Sequence, residues 1–207
     1  MGFVDLHSHV LPGVDDGAPD LETSIAMLRS LAAAGFSHVY ATPHQKAPSL
    51  LPSAAAIRDA HDETSRALGS ADTAPLTLGL AAENYWDDVF FDRLKDGGFP
   101  RYDGGRAFLF ELALGELPAR LEDSLFRIST KGYLPVMAHP ERYSPFWRTL
   151  DRLATIGRGC ALVVDLGALA GEHGWREGRM ARRLVGERLA HAAASDVHSL
   201  TDVRVAA

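Results

Sequence analysis

A single cysteine, Cys160, in 207 residues excludes an intramolecular disulfide framework and a thiolate-built structural metal site. The simplest placement is then the reducing cytoplasm. No apolar run approaches the ~18 residues of a membrane-spanning helix. The N-terminal MGFVDLHSH lacks the basic and apolar regions of a signal peptide. Lysine is scarce: 3 of the 21 basic residues, set against 27 acidic ones for a formal charge of −6. That balance excludes a broad nucleic-acid surface. There is no low-complexity tract, long linker or internal repeat, so residues 1–207 read as one domain. A G-x-x-x-x-G-K-[ST] phosphate loop is missing, which removes the usual kinase and ATPase signature. Six positions after Cys160 stands Leu166, where a C-x5-R nucleophile loop needs arginine.

What is present is a regular alternation. Short apolar runs at 3–6, 38–42, 76–81, 107–112, 134–138, 161–166 and 189–194 read as strands. Between them lie helical patterns at 21–34, 53–68, 87–96, 118–131, 145–157 and 175–188. In the first, Ile25, Leu28, Leu31 and Ala32 form one stripe before Gly35, a natural C-cap. Strands separated by helices imply a parallel α/β sheet, because each return needs a crossover. Seven such units in this length suggest an irregular (β/α)7 barrel with its last helix short or missing; an open doubly wound sheet is the alternative.

In β/α barrels, chemistry gathers where strands end. The first strand runs into His7-Ser8-His9, with Asp16 beyond, and the second into Thr42-Pro43-His44. The third reaches Glu83, and the fourth carries Glu111. The fifth meets His139-Pro140-Glu141-Arg142, the sixth has Asp165, and the seventh leads to Ser195-Asp196-Val197-His198. Taken singly, each has an ordinary alternative. Asp15-Asp16-Gly17 reads as an Asx turn, and Glu83 or Asp196 as a helix cap. Their recurrence at successive strand ends is the signal. Residues i and i+2 on a strand share a face, so His7 with His9 and Asp196 with His198 point together. Nine nitrogen and oxygen donors at one mouth exceed a tetrahedral site and suit two or three cations sharing carboxylates. The donor types favour Mn²⁺, Fe²⁺ or Zn²⁺. His38, His61, His173 and His191 read as structural.

The ordered set DLHSHVLPGVDDG, ATPH, AAENYW, FLFEL, AHPERY and ASDVHS resembles the polymerase and histidinol phosphatase superfamily of metal-dependent phosphoesterases, which use an irregular (β/α)7 barrel. Within it the set is most similar to bacterial manganese-dependent protein-tyrosine phosphatases of capsule and exopolysaccharide loci. The resemblance implies three divalent ions: one on His7, His9, Glu83 and Asp196, a second on Glu83, Glu111 and His139, a third on Asp16, His44 and His198. It also implies phosphomonoester hydrolysis, with Arg142 and Asp196 catalytic and Arg142 and Arg204 holding phosphate. The implied partner is a phosphotyrosine protein, such as a tyrosine kinase of polysaccharide synthesis. Tyr85, Trp86, Tyr143 and Trp147 are candidates to stack on the phosphorylated ring, and Glu141 to donate a proton. Two departures are visible: the family commonly continues several tens of residues past Asp-x-His, and it often carries Asn or Ser where this chain has Asp165. The alternatives are a small-molecule phosphatase, such as one for histidinol phosphate, and an inactive metal-binding regulatory subunit.

Overall fold

The computed structural model describes residues 2–69 and 76–206. Among these, strands and helices alternate as β1 (Phe3–Ser8), α1 (Leu21–Ala33), β2 (Phe36–Ala41), β3 (His44–Gln45), α2 (Ala54–Gly69), β4 (Thr77–Leu80), β5 (Glu83–Tyr85), α3 (Asp88–Lys95) and β6 (Ala107–Glu111). The order continues with α4 (Leu121–Thr130), β7 (Leu134–Ala138), α5 (Asp151–Ile156), β8 (Ala161–Asp165), α6 (Leu166–Ala170), α7 (Trp175–Gly186), β9 (Ala192–Ala194) and α8 (Leu200–Ala206). No helix is long and apolar enough to cross a membrane among the described residues.

The strands pair in parallel, as β1-β2-β4 in one sheet and β3-β5-β6-β7-β8-β9 in another. Two of the seven expected strands, 38–42 and 76–81, are each followed by a short second strand outside the expected range. Between β2 and β3 stands Pro43, which has no N–H for the ladder; β4 yields to β5 across Ala81-Ala82. Backbone bonds still stitch the breaks, from Ala81 N to Ala41 O (2.9 Å) and from Glu83 N to Pro43 O (3.1 Å). On the far side, Asp196 N donates to His7 O (2.8 Å) and His9 N to Val197 O (2.9 Å), so the chain leaving β9 lies along the end of β1. The parallel α/β class is as expected, but the pairing forms two sheets rather than one continuous ladder.

Side chains alternate across the six-stranded sheet. Phe108 and Phe110 of β6, Met137 of β7 and Leu162 and Val164 of β8 pack with Leu121, Leu125, Phe146, Leu153 and Leu184 from the helical side. Each fully buried large side chain stabilises the fold by about 1.5–3 kcal/mol. The alternate residues Leu109, Val136, Ala138, Val163 and Ala194 form a smaller cluster on the inner face. Glu111 is two residues beyond Leu109 and shares that face, so the inner stack ends in a carboxylate.

Local chemistry sets the helix ends. Asp20 caps α1 by accepting from Thr23 N (2.8 Å), and the buried stripe Ser24, Met27, Leu28, Leu31 follows the 3.6-residue period. Asp87 caps α3 through Phe90 N (2.9 Å). The segment expected as a helix over 145–157 instead begins as a 3-10 turn at Ser144–Phe146 around Pro145, leaving only Asp151–Ile156 α-helical. One helix, α6, departs from the expected pattern, while α8 is the short last helix that the pattern allows. Asp165 caps α6 directly off β8 through Gly167 N (2.6 Å), and α8 supplies seven residues after β9.

Candidate metal centre

All nine candidate donors meet where the strands end. Asp5 on β1 accepts from Ser195 N (2.9 Å) and His7 N (3.3 Å), and the Ser195 hydroxyl donates to its second oxygen. This buried carboxylate ties the first strand to the loop after β9 and brings His7 Nε2 within 3.2 Å of Asp196 Oδ1. His9 Nδ1 meets Asp15 Oδ2 at 2.8 Å, which turns Nε2 inward to 3.1 Å from His7 Nε2. Glu83 is the hub: its oxygens lie 3.4 Å from His7 Nε2, 3.0 Å from His44 Nδ1 and 2.9 Å from His139 Nε2. Glu111 Oε1 stands 3.4 Å from His44 Nδ1. Asp16 Oδ1 reaches His44 Nε2 (3.4 Å) and His198 Nε2 (3.6 Å).

Four groups of donors lie within 4.8 Å of one another: His9, Asp16, His44 and His198; His7, His139 and Asp196; His7, His9 and Glu83; His44, Glu83 and Glu111. The expected trio Asp16, His44 and His198 falls together and gains His9. The expected grouping of His139 with Glu111 does not appear: His44 takes that place, because its two ring nitrogens face different carboxylates. His139 groups with His7 and Asp196. His139 (φ 33°) and Asp196 (φ 48°) both occupy left-handed backbone, uncommon for non-glycine residues and concentrated at functional sites.

The electrostatics ask for positive charge. Glu83 is 1 % exposed, and although burial opposes its ionisation, His7, His139 and His44 hold it well below the usual carboxylate range. Burial likewise opposes charging of His44, yet Glu111 and Glu83 pull its imidazole up to about 10. His9 is driven well above its ordinary value against burial by Asp15, Asp196 and Glu83. Burial lowers His198. His44 Nδ1, Glu111 Oε1, His139 Nδ1 and Asp196 Oδ1 are buried without a hydrogen-bond partner. Unsatisfied buried acceptors are costly, and the facing Nε2 atoms of His7 and His9 either share one proton or turn both lone pairs to a cation. Imidazole and carboxylate donors with orphaned lone pairs therefore fit divalent cations.

Seven of the nine donors, all but His7 and His9, line a cavity of about 480 Å³ whose wall also holds Lys46, Tyr85, Leu112 and Arg142. Arg142 Nη1 donates to Asp196 Oδ2 (3.1 Å), placing its guanidinium beside the donor cluster. Lys46 Nζ lies 4.4 Å above the Tyr85 ring and 3.6 Å from Glu111 Oε1. Arg204 is exposed on α8 and is not part of that wall.

Of the four aromatic candidates only Tyr85 lines the cavity. Tyr143 is fully buried, its hydroxyl donating to Ala138 O and accepting from Leu112 N. Trp86 packs against Phe90, Phe91 and Phe110, and Trp147 donates its indole N–H to Glu141 O (2.8 Å). Glu141 is also buried, accepting from Asp165 N (2.9 Å), with burial pushing its carboxyl up to about 8. It does not face the cavity. Asp15 was read only as a turn former. It does form the Asx turn, accepting from Gly17 N (3.1 Å), but its other oxygen orients His9 and accepts from His44 N (3.0 Å). The signal was present: a second carboxylate beside Asp16, at a distance from His9 that a tight loop closes. His173 in turn pairs with Asp165, an interaction that depends on how α6 leaves β8.

Comparison with known proteins places these features in a lineage. Tyrosine-protein phosphatase YwqE of Bacillus subtilis is 31% identical over 199 residues, spanning 96% of this chain and 78% of that protein. Tyrosine-protein phosphatase CpsB of Streptococcus pneumoniae is 25% identical over 204 residues, spanning 96% and 84%. A solved structure from work on YwqE and CpsB, described as unique metal-dependent tyrosine phosphatases, superimposes with a TM-score of 0.89 at 30% identity, covering 97% of this chain and 81% of that one. Residues 3–205 match the family described as capsular polysaccharide synthesis, CpsB/CapC, and the chain belongs to it.

Proposed function

We propose that the protein is a metal-dependent protein-tyrosine phosphatase that hydrolyses phosphotyrosine to tyrosine and phosphate. The observation that carries this reading is the clustering of nine imidazole and carboxylate donors, several with orphaned buried atoms, seven of which line one cavity beside Arg142. His7, His9, Asp16, His44, Glu83, Glu111, His139, Asp196 and His198 would hold two or three divalent ions, with Mn²⁺ proposed and Fe²⁺ or Zn²⁺ compatible. When bound, such ions acidify a water toward neutral pH and neutralise phosphate oxygens.

The chain's own residues do the remaining work. Arg142, fixed by Asp196, presents a planar fork to phosphate oxygens and stabilises charge that grows on them. Asp15 orients the His9 imidazole through its Nδ1, while Asp5 fixes the backbone at His7 through its N–H. Tyr85 offers an aromatic face at the rim. Attack by water forms one P–O bond as the bond to the tyrosine oxygen breaks. The departing phenol has a pKa near 10, so it needs less help from an acid than an alkoxide would. Lys46, at the same wall beside the Tyr85 ring, would be a cation to receive that charge. The two parallel sheets are proposed to act as one irregular seven-unit barrel in a single cytoplasmic domain. The proposed partner is a phosphotyrosine protein, such as a tyrosine kinase of polysaccharide synthesis.

The test is phosphate release from chelator-stripped protein reloaded with Mn²⁺, on phosphotyrosine peptide, phosphoserine peptide and histidinol phosphate. Metal-dependent release confined to the tyrosine peptide is expected. Preference for histidinol phosphate would overturn the substrate class. Inactivity on all three with metal bound would favour a regulatory metal-binding protein.

A further inference from the structure

Beside the metal cavity runs a second, larger cleft of about 780 Å³ with a different chemistry. Its wall carries Arg148, Arg176, Arg179 and Arg183 with Trp147 and Trp175, and no carboxylate. In a chain of formal charge −6 this is a local inversion of sign. Arg176 and Arg179 lie one turn apart on α7, and Arg183 follows one turn later on the same face.

The guanidinium groups are held ready. Arg176 stacks 5.4 Å from the Trp147 ring centre and Arg179 5.3 Å from that of Trp175. Trp147 is itself anchored by its indole N–H on Glu141 O. Among the described residues none of the four arginines has an ion-pair partner. Arg148 and Arg183 also edge a neighbouring depression containing Asp151 and Glu187, whereas Arg176 and Arg179 do not. Trp175 is 69% exposed, an uncommon placement for so large an aromatic ring.

The cleft adjoins the site across a shared wall. Leu114 lines the metal cavity and Gly115 the cleft; Arg142 lines the cavity and Ser144 the cleft. Ser144 N donates to Leu114 O (2.9 Å), so the two loops form one shared ridge. Adjacent Cα atoms are about 3.8 Å apart, so the flanking residues of an extended peptide seated in the cavity can cross this ridge toward the cleft.

We propose that this cleft is a substrate-docking groove that recognises an acidic peptide segment flanking the phosphorylated residue, its carboxylates engaged by Arg176 and Arg179 over Trp147 and Trp175. This inference rests on the phosphatase reading of the neighbouring cavity. Planar guanidinium forks match carboxylates, and aromatic faces accept the side-chain stems between them. Because the contacts lie away from the reacting bond, they act on substrate capture rather than on chemistry.

The experiment compares Mn²⁺-loaded wild-type protein with the Arg176→Ala/Arg179→Ala double variant. Substrates are phosphotyrosine peptides flanked by three glutamates or three glutamines on either side, together with p-nitrophenyl phosphate. Exposed ion pairs are individually weak, so loss of two predicts a KM about 3- to 10-fold higher for the glutamate peptides. The kcat, the glutamine peptides and p-nitrophenyl phosphate should be unaffected, and added salt should erase the wild-type preference. Binding of a fluorescent, unphosphorylated glutamate peptide, followed by anisotropy, separates the two readings. If catalysis fails altogether but this peptide binds wild type and not the variant, the groove stands without the phosphatase. If wild type turns over both peptide sets equally, or the variant keeps the preference, the groove proposal is wrong. A sulfated polysaccharide or RNA that displaces the peptide and binds more tightly would also overturn it. Thermal melts of the variant exclude misfolding as the cause.

Discussion

Asp15 is the residue whose substitution most sharply tests how the centre is organised. It is buried, and its carboxylate accepts three N–H donors: His9 Nδ1 at 2.8 Å, His44 N at 3.0 Å and Gly17 N at 3.1 Å. Despite burial, His9 holds its carboxyl below the ordinary value. An asparagine of the same shape has one acceptor and one donor. Its best placement puts oxygen toward His9 and His44, which leaves its NH₂ facing Gly17 N–H. That forfeits one buried hydrogen bond and the charge behind His9, about 1–3 kcal/mol. Alanine leaves three donors unmet and should cost about 2–4 kcal/mol of folding stability. Loss of a carboxylate that orients a metal-binding histidine typically weakens metal affinity 10–100-fold. The expectation is therefore about 10-fold weaker Mn²⁺ binding for Asp15→Asn and about 100-fold for Asp15→Ala. Isothermal titration of stripped protein, paired with thermal melts, measures both. Unchanged affinity and stability in Asp15→Asn would refute the claim that Asp15 sets the ring orientation of His9.

Three further outcomes follow from the same geometry. Gly17→Ala should fail to accommodate the Asp15 loop, because its Cβ would overlap the His9 carbonyl oxygen; a loss of about 1–3 kcal/mol in urea unfolding is expected. Cys160 is buried, and burial pushes its thiol up to about 12, so iodoacetamide at pH 8 should label it only in denaturant and leave activity intact. In chelator, the charged His44 contributes stability fully below its unfolded value near 6.5 and loses it as pH rises through about 10. The melting temperature of stripped protein should accordingly fall from pH 7 to 10. Saturating Mn²⁺ should shrink or reverse that fall, because the metal takes the deprotonated ring.

Much of this arrangement is legible in the chain itself, for identifiable reasons. Strand–helix alternation announces parallel pairing, and strand ends then bring His7, His44, Glu83, Glu111, His139 and Asp196 to one side without any knowledge of distance. What the pattern does not reveal depends on how side chains turn. Both ring nitrogens of His44 are used, so it displaces His139 from the Glu111 group. Tyr143 and Trp147 look like rim aromatics because they sit in a loop, yet the 3-10 turns fold the former into the core and lock the latter onto Glu141 O. The short strands β3 and β5 beyond Pro43 and Ala82 carry too few apolar residues to be read from hydrophobicity. The arginine cleft is also invisible along the chain, since Arg148 and the α7 arginines meet only once α7 packs against the Pro140–Arg142 turn.

The most direct test of the central claim is to titrate Mn²⁺ into chelator-stripped protein while bound metal and phosphotyrosine-peptide hydrolysis are measured in the same samples. Activity should be negligible without metal, rise with occupancy and saturate only after more than one ion per chain is bound. The Glu83→Gln variant should show neither tight binding nor turnover. Full activity in stripped protein, or undiminished hydrolysis by Glu83→Gln, would contradict the account.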